Sequence, residues 1–186
     1  MDIRPTADRA RESLFNILGR ECLEDALVLD LFAGTGALGL EALSRGARTA
    51  VFVDHSPLAL DLIHKNIMNT GSSEQAHVVR HDLSKGLFFW RRLGRTVVGE
   101  GGQAPQFDLI FLDPPYRQGH CATLLTGLLA EGLVGKLTRL VFEDDSREHL
   151  PEAVGALRLY DQRAYGDTGF WLYRMEGEGG QARGQH

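Results

Sequence analysis

Apolar runs of five or six residues recur along the chain, separated by segments whose apolar positions repeat at helical spacing. The runs at 27–32, 49–54, 76–80, 107–112 and 138–143 carry the β-branched and aromatic enrichment of buried strands. Between them, 37–45, 56–69 and 118–131 read as helices, with a shorter helix at 83–92. Ahead of the first strand, Thr6 is placed to cap a helix reaching Gly19, whose apolar face is Leu14, Phe15, Ile17 and Leu18. Strand and helix in alternation imply an α/β, doubly wound, mostly parallel sheet with right-handed crossovers. The last two apolar segments, 156–163 and 169–174, are joined by Tyr165-Gly166-Asp167-Thr168 and predict a C-terminal antiparallel hairpin, for seven strands in all. The expected division is an N-terminal helical segment at 1–24, a core domain at 25–175 and a disordered tail at 176–186. Gly94–Gln106 is glycine-rich and is expected to be a mobile surface loop.

A chain of 186 residues is enough for one such domain. It shows no internal repeat and no apolar run of membrane-spanning length. The charged N-terminus lacks the apolar stretch of a signal peptide. Cys22 and Cys121 are isolated thiols that suit a reducing cytoplasm, and no Cys/His spacing suggests a metal site. A monomer is expected. The formal net charge of −5 argues against a globally cationic nucleic-acid binder, so phosphate affinity would have to come from local clusters. Three exist: Arg4, Arg9 and Arg11; Arg45 and Arg48; Arg91, Arg92 and Arg95. Arg45 and Arg48 close a helix, where cations offset the dipole. The first group instead sits at a helix start, where cations oppose the dipole, and this points to a role in binding.

Two motifs carry chemistry. After the strand ending at Asp30-Leu31-Phe32-Ala33, Gly34, Thr35, Gly36 and Gly39 form G-x-G-x-x-G, and Asp54 ends the next strand twenty residues after Gly34, with His55 beside it. This satisfies the dinucleotide fingerprint, in which the distant carboxylate binds a ribose diol. Asp30, however, lies inside the strand that leads into the glycine turn. A carboxylate there repels a pyrophosphate and favours a cation. S-adenosylmethionine matches, since it has a ribose, an ammonium and a sulfonium but no phosphate. The second motif is Asp113-Pro114-Pro115-Tyr116, which ends the strand 107–112. Neither proline can continue a sheet. Asp113 and the Pro114 carbonyl are therefore held where they can accept both hydrogens of a planar amine, with Tyr116 able to stack on its ring. The alternative for this run is an ordinary strand-terminating turn.

Asp30–Gly46 and Asp113–Tyr116 resemble the class I methyltransferases that modify exocyclic amines, whose Rossmann-like sheet ends in an antiparallel hairpin. The opening Arg4-Pro-Thr-Ala-Asp-Arg-Ala-Arg-Glu-Ser-Leu-Phe-Asn-Ile-Leu18 is similar to that of the RsmD-type guanine-N2 methyltransferases of small-subunit (16S) ribosomal RNA, and the resemblance runs from about Arg4 to Arg174. Members carry a short basic β segment ahead of this opening, on which the present sequence almost begins. The resemblance implies S-adenosylmethionine as cofactor, held by Asp30, Phe32, Ala33, Gly34, Thr35, Gly36, Asp54, His55, Asp82, Leu83 and Asp113. It implies 16S rRNA, or the assembling small subunit, as substrate, met by Arg4, Thr6, Arg9, Arg11 and Tyr116. Asp113, Pro114, Pro115 and Tyr116 would be catalytic. Asp82, at the end of the strand 76–80, is placed for the adenine edge and equally for capping the next helix.

A guanine N2 amine is a poor nucleophile because its lone pair is delocalised into the ring. Acceptors on both hydrogens favour the pyramidal geometry of attack, and the carboxylate stabilises positive charge developing on nitrogen. The same residues also fit other readings. Adenine-N6 methylation in DNA uses the same run, often with Asn at the first position, but requires base flipping and a target-recognition region for which the chain has no spare length. A small-molecule or protein-amide methyltransferase and a non-catalytic nucleotide-binding module are the others.

Overall fold

A computed structural model describes residues 5–93, 97, 103–115 and 121–177, the first three of these by backbone alone. Helix α1 (Pro5–Leu18) leads through a 3-10 turn (Arg20–Cys22) to β1 (Leu27–Leu31), α2 (Ala37–Ser44), β2 (Thr49–Asp54), α3 (Pro57–Thr70) and β3 (Ala76–Arg80). Two further 3-10 turns (Leu83–Lys85 and Phe88–Arg92) precede β4 (Phe107–Leu112), α4 (Cys121–Ala130) and β5 (Val134–Asp145). The described chain ends in β6 (Ala153–Val154), β7 (Leu157–Tyr165) and β8 (Thr168–Met175).

The strands form one sheet in the order β3-β2-β1-β4-β5-β8-β7-β6. Neighbours from β3 to β5 are parallel; β8 inserts antiparallel beside β5 and pairs with β7 across the two-residue turn at Gly166-Asp167. Strand periodicity divides the core between the two faces. Leu29, Leu31, Ile110, Leu112, Leu140 and Phe142 pack with Leu125 and Leu128 of α4, while Val28, Phe52, Leu109, Phe111 and Val141 pack with Leu14 and Phe15 of α1 and Ile63 and Ile67 of α3. The Phe15 and Phe111 rings lie 5.6 Å apart. Arg45 places its guanidinium 5.1 Å from the Phe15 ring while bonding Glu41 at 2.6 Å, and Arg48 lies 3.5 Å from Asp25. Both arginines thus stabilise local packing, as their helix-end position suggests.

The structure departs from expectation at several places. Among the described residues the sheet has eight strands, because Ala153–Val154 adds a short edge strand on β7. Helix α1 begins at Pro5, so Thr6 lies in its first turn and not at the cap. The helix expected at 83–92 is two 3-10 turns, broken at Gly86, whose φ of 113° no helix accommodates. Strand β5 runs well beyond 138–143, and its start is held by Thr138, whose hydroxyl donates to the Phe107 carbonyl at 2.6 Å and accepts from the Gly135 amide at 2.7 Å. Glu176, assigned to a tail, donates its amide to the Ala156 carbonyl and pairs with Arg158 at 2.6 Å. Most of 94–106 and all of 178–186 lie outside the described residues, although Val97 within the first segment is buried in the core. Among the described residues, no helix is long and apolar enough to cross a membrane.

Candidate active site

The carboxyl ends of β1, β2 and β4 carry Asp30, Asp54 and Asp113, so the sheet gathers three carboxylates at one edge. Strand β1 ends at Leu31, and the chain turns sharply. The Ala33 amide donates to the Val53 carbonyl at 3.2 Å, and the Gly36 amide donates to the Ala33 carbonyl at 2.6 Å. Gly36 precedes α2 with φ 75°, and Gly39 sits where the helix crosses the sheet. A Cβ on Gly39 would come within 2.4 Å of the Phe52 ring and 3.1 Å of Asp30 Oδ2. The third glycine is thus a packing requirement, whereas a Cβ on Gly34 would meet only the Phe32 carbonyl, at 3.8 Å. Gly34 faces open space. Phe32 has φ 59°, a left-handed conformation that a non-glycine residue adopts at a cost of about 1–2 kcal/mol.

Phe32 stands between two cavities, and its residue lines both. The first, about 310 Å³, is formed by Asp30, Ala33, Gly34 and Thr35 from the glycine turn, Asp113 from β4, and Ala10 and Arg11 from α1. Ala37 and Leu38 of α2, Glu143 of β5, and Thr168 and Phe170 of β8 complete it. The second, about 420 Å³, is formed by Asp54, His55, His81, Asp82, Leu83, Ser84, Pro115, Thr123 and Leu124.

The carboxylates are held in different ways. Asp54 accepts the Gly34 amide on Oδ2 at 3.0 Å and the Ser56 amide on Oδ1 at 2.9 Å, tying the glycine turn to the start of α3. Asn66 adds a bond from Nδ2 to the Thr35 carbonyl at 2.9 Å. Asp82 accepts from the Ser84 amide at 3.1 Å and the Ser84 hydroxyl at 2.6 Å; these bonds hold its carboxyl below the usual carboxylate range. It therefore caps the 3-10 turn and also borders the second cavity. Asp30 is 2% exposed and accepts one bond, from the Gly39 amide at 2.9 Å. Desolvation, reinforced by Asp113 and Asp54, pushes its pKa up to about 8. At neutral pH the unliganded Asp30 is mostly protonated, and a cation nearby would draw it to the ionised form. Asp113 is raised to about 6 by burial and by the like charge of Asp144. It is mostly ionised at pH 7 and becomes protonated below about pH 6.

Of the other residues expected at the site, Gly36 and Pro114 line neither cavity, and Arg9 is exposed on α1. Arg11 faces the first cavity while pairing with Asp8 at 2.8 Å. Arg4, Tyr116 and the side chain of Thr6 lie outside the described residues. Sequence reasoning missed Glu143, Thr168 and Phe170. The signal for Glu143 was available, since it ends the apolar run 138–143 and ligands gather beyond strand carboxyl ends. Among the described residues, no group of three or more His, Cys, Asp or Glu could hold a metal ion.

A family model described as Conserved hypothetical protein 95 matches residues 1–174. The Ribosomal RNA small subunit methyltransferase D of Escherichia coli (strain K12) is 32% identical over 177 residues, covering 95% of this chain and 82% of its own length. A solved structure of a conserved hypothetical protein from Streptococcus pyogenes superimposes with a TM-score of 0.75 at 30% identity, over 91% of this chain and 97% of its own. An RNA methyltransferase from Salinibacter ruber, solved in complex with S-adenosyl-L-homocysteine, shares the fold with a TM-score of 0.60 at 14% identity, over 100% and 99% of the two chains.

Proposed function

The chain belongs to the Conserved hypothetical protein 95 family, that of the RsmD-type ribosomal RNA methyltransferases, and from this premise we propose that it is an S-adenosylmethionine-dependent enzyme methylating the N2 amine of a guanine in small-subunit rRNA. The observation that carries the proposal is the pair of cavities meeting at Phe32. The second offers Asp54 for a ribose diol, Asp82 for an adenine edge and Leu83 for its face. The first offers Asp30 for the ammonium of an amino-acid end. These residues fit S-adenosylmethionine, which supplies a methyl group on a sulfonium.

The remaining chemistry belongs to this chain. Asp113 accepts one hydrogen of the target amine and the Pro114 carbonyl accepts the other, which exposes the nitrogen lone pair. The ionised Asp113 then stabilises the positive charge that develops on nitrogen and receives the proton lost from it. Its position in a buried cavity strengthens this interaction over the same contact in water. Tyr116 is to stack on the purine, and the N-terminal segment, whose Ala10 and Arg11 line the first cavity, is to cap the site and offer Arg4, Arg9 and Arg11 to RNA phosphates. The substrate is 16S rRNA or the assembling subunit in the cytoplasm, with phosphate contacts made by these clusters despite the net charge of −5.

Mapping methylated bases in small-subunit rRNA from a deletion strain, with and without the gene restored, tests the reading. One N2-methylguanine should vanish and return. A missing methyladenine, or unchanged rRNA, would overturn it.

A further inference from the structure

Parallel pairing of β4 with β5 sets Leu112 opposite Phe142, so Asp113 and Glu143 follow abreast just past the last paired position. Adjacent strands lie roughly 4.7–4.9 Å apart, and residues abreast in a parallel pair share a face. Both residues line the first cavity. On the other side of Glu143, β8 pairs antiparallel and places Phe170, 1% exposed, directly opposite. Phe170 and Thr168 close the cavity along that wall. Glu143 thus occupies the side of the cavity away from the glycine turn, one strand beyond the amine-binding Asp113.

Geometry and chemistry together assign a task to this carboxylate. With the N2 hydrogens of a guanine taken by Asp113 and the Pro114 carbonyl, the neighbouring donor on the Watson–Crick edge is N1–H. It is adjacent to N2 on the ring, and Glu143 is adjacent to Asp113 on the sheet. We propose that Glu143 is the specificity-determining residue of the site, accepting the guanine N1–H and thereby excluding purines whose N1 is bare. This rests on the N2-methylation reading above. A carboxylate without a proton has no donor to offer, so a bare N1 meets an acceptor facing an acceptor. Sites built on such hydrogen bonds discriminate far more strongly than apolar pockets, because a mismatch leaves buried polar groups unpaired. Asp30 does not serve instead, because in the reading above it meets the cofactor's ammonium.

The test uses the full-length protein and small-subunit rRNA fragments carrying either guanine or 2-aminopurine at the mapped position. 2-Aminopurine keeps the exocyclic amine but has a bare N1. Wild type should prefer guanine by about a hundredfold or more in both RNA affinity and kcat/KM. Glu143→Gln, nearly isosteric, can donate its amide hydrogen to a bare N1. It should bring the two substrates to within about tenfold of each other, with S-adenosylmethionine affinity and Tm unchanged. An unchanged preference in Glu143→Gln, with guanine still methylated at N2, overturns the role of Glu143 and leaves the N2 reading intact. A tenfold loss of cofactor affinity with unchanged preference also overturns it, by moving Glu143 to the cofactor. Failure of wild type to methylate guanine at N2 defeats the reading itself and the inference with it.

Discussion

The two cavities that meet at Phe32 are built from different parts of the chain. The second draws on strand ends and the turns that directly follow them: Asp54 and His55 after β2, His81 to Ser84 after β3, Pro115 after β4. Its carboxylates are tied to local amides and hydroxyls, so their positions are set before any ligand arrives. The first draws on α1, β1, β4, β5 and β8, elements that come together only when the whole sheet has formed. Its Asp30 and Asp113 carry raised pKa values, so it is an electrostatically poised chamber in which charged groups change state. Under the proposed function the contrast would separate recognition from reaction, with the ribose and adenine in the second cavity and the charged groups in the first.

Breaking the reactive side should have the largest effect. Asp113→Ala should lower kcat by at least about a hundredfold while leaving cofactor affinity within a fewfold of wild type, as expected for loss of one preorganised electrostatic group. Single-turnover methyl transfer and equilibrium binding on the same preparation check this; equal losses in both would move Asp113 into the recognition side. In wild type, the same rate should fall as pH drops through about 6, where Asp113 becomes protonated.

Breaking the recognition side should cost less. Asp54→Ala removes charged hydrogen bonds to the ribose, worth about 1.5–3 kcal/mol, so cofactor affinity should fall roughly ten- to hundredfold. Titration calorimetry reads it, and unchanged affinity would remove Asp54 from the ribose. The smallest effect belongs to the cap. Arg9→Ala and Arg11→Ala should each reduce the log–log salt slope of RNA binding by roughly 0.7–0.9. The Arg11–Asp8 pair makes Arg9 the cleaner of the two. Unchanged slopes and turnover in both would return α1 to a purely structural role.

The same contrast explains what could be read in the sequence. Much of the second cavity was legible because its parts end or follow apolar runs: position suggested Asp54 and Asp82, and the resemblance added His55 and Leu83. The glycine turn was legible too, although the division of labour between an open Gly34 and a packed Gly39 needed the Phe52 ring in place. Thr168 and Phe170 were not legible, because their approach to the cavity depends on β8 inserting beside β5, a non-local pairing with no local signature; Glu143, which ends the apolar run 138–143, was legible and was overlooked. The left-handed Phe32 was likewise hidden, since no aromatic residue advertises that conformation. The break at Gly86 was visible in principle; a glycine inside a ten-residue helix weighs against the helix.

The central claim is that the first cavity receives the cationic end of the cofactor beside Asp30, and proton uptake or release on binding tests it most directly. In the free protein the raised pKa means the folded state holds a proton that the unfolded state has lost, so apo stability falls as pH rises from about 4 to about 8. A cation beside Asp30 reverses that preference and expels the proton. Calorimetric titration with S-adenosylmethionine at pH 7, in buffers of different ionisation enthalpy, should show release approaching one proton per cofactor bound. Asp30→Asn should show almost none. Binding without proton release in wild type, or equal release in Asp30→Asn, would contradict the account.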